Sequence, residues 1–287
     1  MSIASAQLGF AHLTDLPCYR LQFQQASLVV SLYGGHLLSY QPQPGQETLW
    51  LSPLASWHQQ QPLRGGVPIC WPWFGPIEAK LNPEQQAVPN HGLVRNRMWT
   101  FIDSQAHSDF NSLTLSISID DMPGHRAKTL SLTLCLRLYT DKLSITLECD
   151  EPLLQQAALH SYFQVPSLSA CTVQGLGQRF IDKVRQQQHF IEADPVVFNQ
   201  EIDRVYLEPA AQLSVQSGHY QLLIDQQGHD STVLWNPAAE RSKAMADLPD
   251  HGYQEFVCVE TAQLQMATPS PLQLTQTLQL TKTESRR

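Results

Sequence analysis

From residue 113 to residue 149 the chain alternates apolar and polar positions with a period of two. Leu113, Leu115, Ile117 and Ile119 form one row, Leu130, Leu132, Leu134, Leu136 and Leu138 a second, and Leu143, Ile145, Leu147 and Cys149 a third. Successive side chains of a strand point to opposite faces, so each row is the buried face of a half-buried strand. The DMPG turn at 121–124 and the Asp141-Lys142 step separate the rows, which predicts an antiparallel meander. Further strands are predicted at 28–33, 171–175, 231–235 and 255–260, and a late run carries Leu272, Leu274, Leu278 and Leu280 on one face.

Strand patterns therefore reach from one end of the 287 residues to the other, with no repeat of 20–50 residues and no Gly, Pro or Ser-rich linker between them. The expected fold is all-β: a large antiparallel β-sandwich with few short helices, one domain over 1–287, and loops that carry the site. Glutamine clusters at 59–61 and 186–188 read as loop surface.

Charge narrows the function. Lys and Arg number 18 against 26 Asp and Glu, a net charge of −8, with the basic residues too scattered for a nucleic-acid backbone. The segment 64–97 inverts this balance, with Arg64, Lys80, Arg95 and Arg97 against Glu78 and Glu84. Of six tryptophans, Trp50, Trp57, Trp71, Trp73 and Trp99 lie in or beside it. Flat rings cover the C–H face of a sugar and a local excess of cations suits a small anion, so the pattern suggests a phosphorylated carbohydrate.

Other chemistries lack their motifs. The six cysteines form no CxxC pair, which points to neither a zinc ribbon nor a disulfide framework, and a reducing compartment would leave Cys135 and Cys149 as small apolar residues in their strands. No HxH or HExxH pattern predicts a metal site, and neither GxxxxGK[ST], GxGxxG nor GxSxG occurs, so no cofactor is expected. The absence of a basic residue before Arg20 predicts no secretory leader, and no apolar run predicts a membrane span, so a cytoplasmic protein is expected.

Three residues stand out as candidates for proton transfer. His160, flanked by aromatics at a strand edge, is either a general acid or base or a hydrogen-bonded core histidine. Glu260 closes the apolar run Phe256-Val257-Cys258-Val259, either as a carboxylate kept for a task or as a strand end turned to solvent. Asp203 is either a site residue or half of a surface ion pair with Arg204. Arg64 before Gly65-Gly66, and Arg95 close to His91-Gly92, are guanidinium forks beside glycines, an arrangement that suits phosphate oxygens approached closely by backbone.

Four blocks, RGGVPICWPWFG from Arg64, NHGLVRN from Asn90, ALHSYFQV around His160 and EFVCVETA around Glu260, resemble the D-hexose-6-phosphate mutarotases of the aldose 1-epimerase superfamily. The resemblance implies a large β-sandwich that exchanges the α and β anomers of a hexose 6-phosphate, with no metal or cofactor. It implies that His160 protonates the ring oxygen and Glu260 withdraws the anomeric hydroxyl proton. Arg64 and Arg95 would lie near the phosphate, and Asn90, His91, Asp203 and Trp73 would contact substrate. Two other functions fit the same residues: a non-catalytic sugar-phosphate binding protein, and a glycoside hydrolase using Glu260 with Asp203.

Overall fold

The computed structural model describes residues 3–58, 61–125, 128–185, 187–190, 195–218 and 220–282. The predicted meander is present: Phe110–Ile119, Leu130–Tyr139 and Lys142–Leu153 pair antiparallel, with Leu115 opposite Leu134 and Leu136 opposite Ile145. All leucines and isoleucines of the three rows are buried in one continuous core. A leucine so buried contributes roughly 1.5–3 kcal/mol by leaving water, so these rows hold the register: a slip by one residue would turn them all to solvent.

Among the described residues this meander belongs to a nine-stranded sheet. The late run forms the long strand Ser270–Lys282, which pairs with Lys142–Leu153 on one side and Tyr220–Gln227 on the other. An eight-stranded sheet packs against it, centred on Ile202–Tyr206, Ser231–Asn236 and Phe256–Gln263. Short strands Ile69–Cys70, Ala157–Leu159 and Tyr162–Gln164 complete one flank of that sheet. The first four strands, Ser5–Phe10, Leu13–Phe23, Ala26–Ser31 and His36–Gln41, make a separate antiparallel sheet. Helix is confined to Ala238–Lys243 and a few single turns, and no helix is long and apolar enough to cross a membrane among the described residues.

The two central strands of the eight-stranded sheet are buried on both faces, which is why their sequences read as continuous apolar runs. Val257, Val259, Thr232 and Leu234 face the sandwich interior; Cys258, Glu260, Val233 and Trp235 face outward. Glu260 consequently corrects its sequence reading: it sits inside the strand Phe256–Gln263, opposite Val233, not at a strand end. Gln187 and Gln188, expected in a loop, form an edge strand with Arg179–Asp182; Gln186, Gln59 and Gln60 lie outside the described residues. The six cysteines are free; Cys149 packs in the core, and Cys135 lies half-buried on the opposite face of its strand.

Candidate active site

The outward face of the eight-stranded sheet is the floor of a cavity of about 350 Å³. Strand pairing places its polar groups. Asp203 lies opposite Trp235, and Val233 opposite Glu260. Leu159 lies opposite Thr261 and Tyr162 opposite Cys258, so the register on both sides brings His160 across from Glu260. His160 occupies the break between the two short strands, where its own N–H donates to Pro68 O at 3.0 Å.

His160 Nε2 is 3.3 Å from Glu260 Oε1, with side chains 11% and 1% exposed. Burial pushes the Glu260 carboxyl well above its ordinary value; Asp203 pushes the same way, while Lys183 and Arg95 oppose. Burial likewise pushes the His160 imidazole well below its ordinary value, helped by His91, Arg95 and Arg64. Both shifts favour the uncharged pair. His160 Nδ1 and Glu260 Oε2 are buried with no hydrogen-bond partner, so this pair has unused capacity for polar contact.

The wall above the floor comes from the segment 64–97. Gly92 holds φ of 83°, and a Cβ there would lie 1.9 Å from Trp71 O, so only glycine lets this loop lie against the Trp71 backbone. His91, just before it, accepts at Nδ1 from the Gly75 N–H at 3.3 Å. That leaves the proton on Nε2, and burial with the nearby arginines and lysine lowers the ring to about 3, keeping it a neutral donor. Arg95 donates to the Asn90 carbonyl at 3.1 Å. Arg64 is engaged more fully: it pairs with Asp247 at 3.0 Å and donates to Tyr162 Oη at 2.9 Å.

The structure thus brings Arg64, Asn90, His91, Arg95, His160, Asp203 and Glu260 to one cavity. Trp73 is the correction. Its side chain is fully buried in the sandwich core and its indole donates to Pro89 O at 3.0 Å, so it props the His91 loop from beneath and presents no face to a ligand. The rings on the cavity wall are Trp235 and Phe74. Asp203 does not pair with Arg204, because neighbours in a strand face opposite ways; Arg204 turns to Asp182 at 3.6 Å.

Lys183 and Arg241 also line the cavity and were not singled out from the sequence. Lys183 Nζ lies 4.6 Å from the Phe74 ring centroid, and Arg241 pairs with Glu201 at 2.9 Å. Trp235 did carry a signal, an aromatic closing the apolar run at 231–235 just before Asn236-Pro237. Among the described residues no group of three or more His, Cys, Asp or Glu side chains is arranged to hold a metal ion.

A β-sandwich with a paired buried histidine and glutamate under a wall of cations defines a class, and the chain belongs to the aldose 1-epimerase family, whose pattern matches residues 17–270. A Salmonella typhimurium protein named "Putative glucose-6-phosphate 1-epimerase" is 37% identical over 285 residues, covering 96% of this chain and 94% of its own. An Escherichia coli protein of the same name is 35% identical over 262 residues, covering 90% and 87%. The crystal structure of a "putative mutarotase" from Salmonella typhimurium superposes with a TM-score of 0.86 at 32% identity, covering 98% of this chain and 94% of that one.

Proposed function

We propose that this protein is an isomerase that interconverts the α and β anomers of a hexose 6-phosphate, glucose 6-phosphate among them. The observation that carries the reading is the contact of His160 Nε2 with Glu260 Oε1 at 3.3 Å on the floor of a cavity walled by Arg64, Arg95, Lys183 and Arg241. A pyranose is a cyclic hemiacetal, and its anomers exchange only through the open aldehyde. Opening needs one proton delivered to the ring oxygen and one removed from O1.

His160 delivers the first and Glu260 takes the second. Rotation about C1–C2 then offers the other carbonyl face, and the two groups return their protons. The step starts from the charged form of the pair, reached from the uncharged resting pair by moving the Glu260 proton to His160 with substrate bound, and opening leaves the pair neutral again beside the aldehyde. Burial favours that neutral pair, so ring opening runs downhill in charge from the charged form, which the substrate complex must first populate. His91, as a neutral Nε2–H donor, and Asp203 hold sugar hydroxyls, while Trp235 and Phe74 cover the C–H faces.

Phosphate charge falls chiefly to Arg95 and Lys183, since neither has a carboxylate ion-pair partner among the described residues, whereas Arg64 is held by Asp247 and Arg241 by Glu201. Arg64 then lines the sugar with Asp247 fixing its direction. We read the chain as one working unit, because the cavity takes residues from Arg64 to Glu260, and as a cytosolic one in which six free thiols stay reduced. The deciding experiment is anomer exchange of glucose 6-phosphate followed by magnetisation-transfer NMR. The wild-type protein should accelerate exchange well beyond the buffer rate, and His160→Asn or Glu260→Gln should each slow it by about 100-fold or more. Exchange at the wild-type rate in either variant overturns the reading.

A further inference from the structure

Directly behind the cavity floor, the apolar filling between the two large sheets is interrupted. On the strand Ser270–Lys282 the inward row reads Leu272, Leu274, Gln276, Leu278. On Tyr220–Gln227 it reads Leu222, Ile224, Gln226, and on Phe256–Gln263 it reads Val257, Val259, Thr261. Ser161, Thr232, Thr261 and Gln276 are fully buried, and Gln226 is 2% exposed.

These five side chains form one connected network. Ser161 Oγ donates to Gln276 Oε1 at 2.6 Å. Gln276 Nε2 donates to Thr261 Oγ1 at 2.9 Å and to Val259 O at 3.3 Å. Thr261 Oγ1 and Thr232 Oγ1 both donate to Gln226 Oε1, at 2.9 and 3.0 Å, and Gln226 Nε2 donates to Ala210 O at 3.1 Å. Sheet packing alone gives no reason for polar groups here, since leucine or valine would fill the same rows without desolvating an amide.

Their position supplies the reason. Ser161 follows His160 and Thr261 follows Glu260, so the single amide of Gln276 grips the neighbour of each group from the far side of the sheet. The grip comes where the ladder is weakest. At the break holding His160, Ser161 N turns back to Leu159 O at 2.9 Å, and the pairing with the Glu260 strand rests on Val259 N donating to Ser161 O at 3.2 Å. A fully satisfied buried network is stiff, and proton transfer loses rate steeply when donor and acceptor are misplaced.

We propose that Gln276 is a positioning residue, a strut between the sheets that fixes the spacing of His160 and Glu260 from behind. The inference rests on the reading of these two as the acid–base pair.

The test is the triple variant Ser161→Ala, Thr261→Val, Gln276→Leu, which replaces the strut by apolar groups and leaves the cavity lining intact. Its melting temperature should equal or exceed that of the wild type, because no buried donor loses its partner. Its kcat for glucose 6-phosphate anomer exchange should fall by about 10- to 100-fold, with KM changed less than about twofold and the pH profile of kcat displaced as the His160–Glu260 contact loosens. Wild-type kcat and pH profile in the triple variant overturn the proposal, as does a loss of activity that only follows the unfolded fraction. Should the triple variant not fold, Ser161→Ala decides alone: kcat reduced severalfold at constant KM supports the strut, and unchanged kcat overturns it. Full activity in His160→Asn or Glu260→Gln would instead remove the acid–base reading itself, whatever the strut variants do.

Discussion

Replacing Glu260 by Gln should stabilise the folded protein relative to the wild type as pH rises above 4.5, while slowing turnover by about 100-fold or more. The carboxyl is 1% exposed, and burial holds its proton well beyond the ordinary value of 4.5. Between 4.5 and the folded value the native protein keeps a proton that the unfolded chain has released. Stability therefore falls as pH rises through that window, by at most about 1.4 kcal/mol per pH unit for one proton. His160 has the opposite sign. Burial lowers its imidazole from 6.5, so between the folded value and 6.5 the unfolded chain holds the extra proton and stability rises with pH at the same limiting slope.

Where the two windows overlap the contributions offset each other in the wild type, and because both proteins carry His160 its share drops out of the difference between them. Above 6.5 the histidine adds nothing further. Glu260→Gln keeps the side-chain size and an oxygen facing His160 Nε2 but has no proton to lose. The stability difference, variant minus wild type, should grow from pH 4.5 up to the folded value of Glu260, by at most about 1.4 kcal/mol for each pH unit, a tenfold change in the folding constant. Urea unfolding followed by tryptophan fluorescence at several pH values measures it. Taking the difference removes groups common to both proteins, such as the buried Glu47 and Asp203. A difference that stays flat as pH rises from 4.5 refutes a carboxyl held protonated by burial in the folded state, and with it the claim that burial favours the neutral pair.

Arg95→Ala and Lys183→Ala should each weaken use of glucose 6-phosphate by about 1.5–3 kcal/mol in kcat/KM, the scale of a hydrogen bond to a charged group, with the smaller figure for exposed Lys183. Their effect on unphosphorylated glucose should be far smaller, and equal losses on both sugars would make them structural. Arg64→Ala should impair both sugars, since it also releases Asp247 and Tyr162, and a purely phosphate-specific loss would return Arg64 to the phosphate. Trp235→Ala should raise KM for both sugars with a smaller change in kcat, checked by the same exchange kinetics. Gly92→Ala should destabilise by at least about 1–3 kcal/mol, from its positive φ and the clash with Trp71 O, read as a lowered midpoint in urea.

The period-two rows made the nine-stranded sheet legible because one face of that sheet is wet: Leu134 and Leu136 are buried while Ser131 and Arg137, on the other face, are exposed. The eight-stranded sheet was harder to read because both faces are covered. Where Phe256 to Ala262 is buried on either side, alternation vanishes and a carboxylate inside the strand reads as one that ends it. Trp73 misled for a related reason. Tryptophan suits a sugar face and a protein core equally well, and the chain around it, Trp71-Pro72-Trp73-Phe74, passes beneath the His91 loop with only Phe74 reaching the cavity. Lys183 left no trace at all, since a lone lysine after a short strand has neither period nor motif, and only the pairing of Arg179–Asp182 with Ile202–Tyr206 carries it to Asp203.

Gln276 shows a kind of signal that composition and motif searches pass over. In the late run the leucines at 272, 274, 278 and 280 leave one vacancy in their period, and glutamine fills it. Taken locally, that is a surface residue on an imperfect strand. Taken with the three-dimensional register, the vacancy falls behind Glu260, as do Gln226 at the end of its own apolar row and Thr261 at the end of another. Three strands distant in sequence break their hydrophobic pattern at one height in the sandwich, the height at which His160 and Glu260 meet on the other side of the sheet. Desolvating two amides and three hydroxyls is tolerated only where every donor is matched, and such matching fixes positions more tightly than leucine against leucine. The proposed transfer of two protons by groups 3.3 Å apart has use for that rigidity, whereas a sugar-binding pocket without chemistry does not.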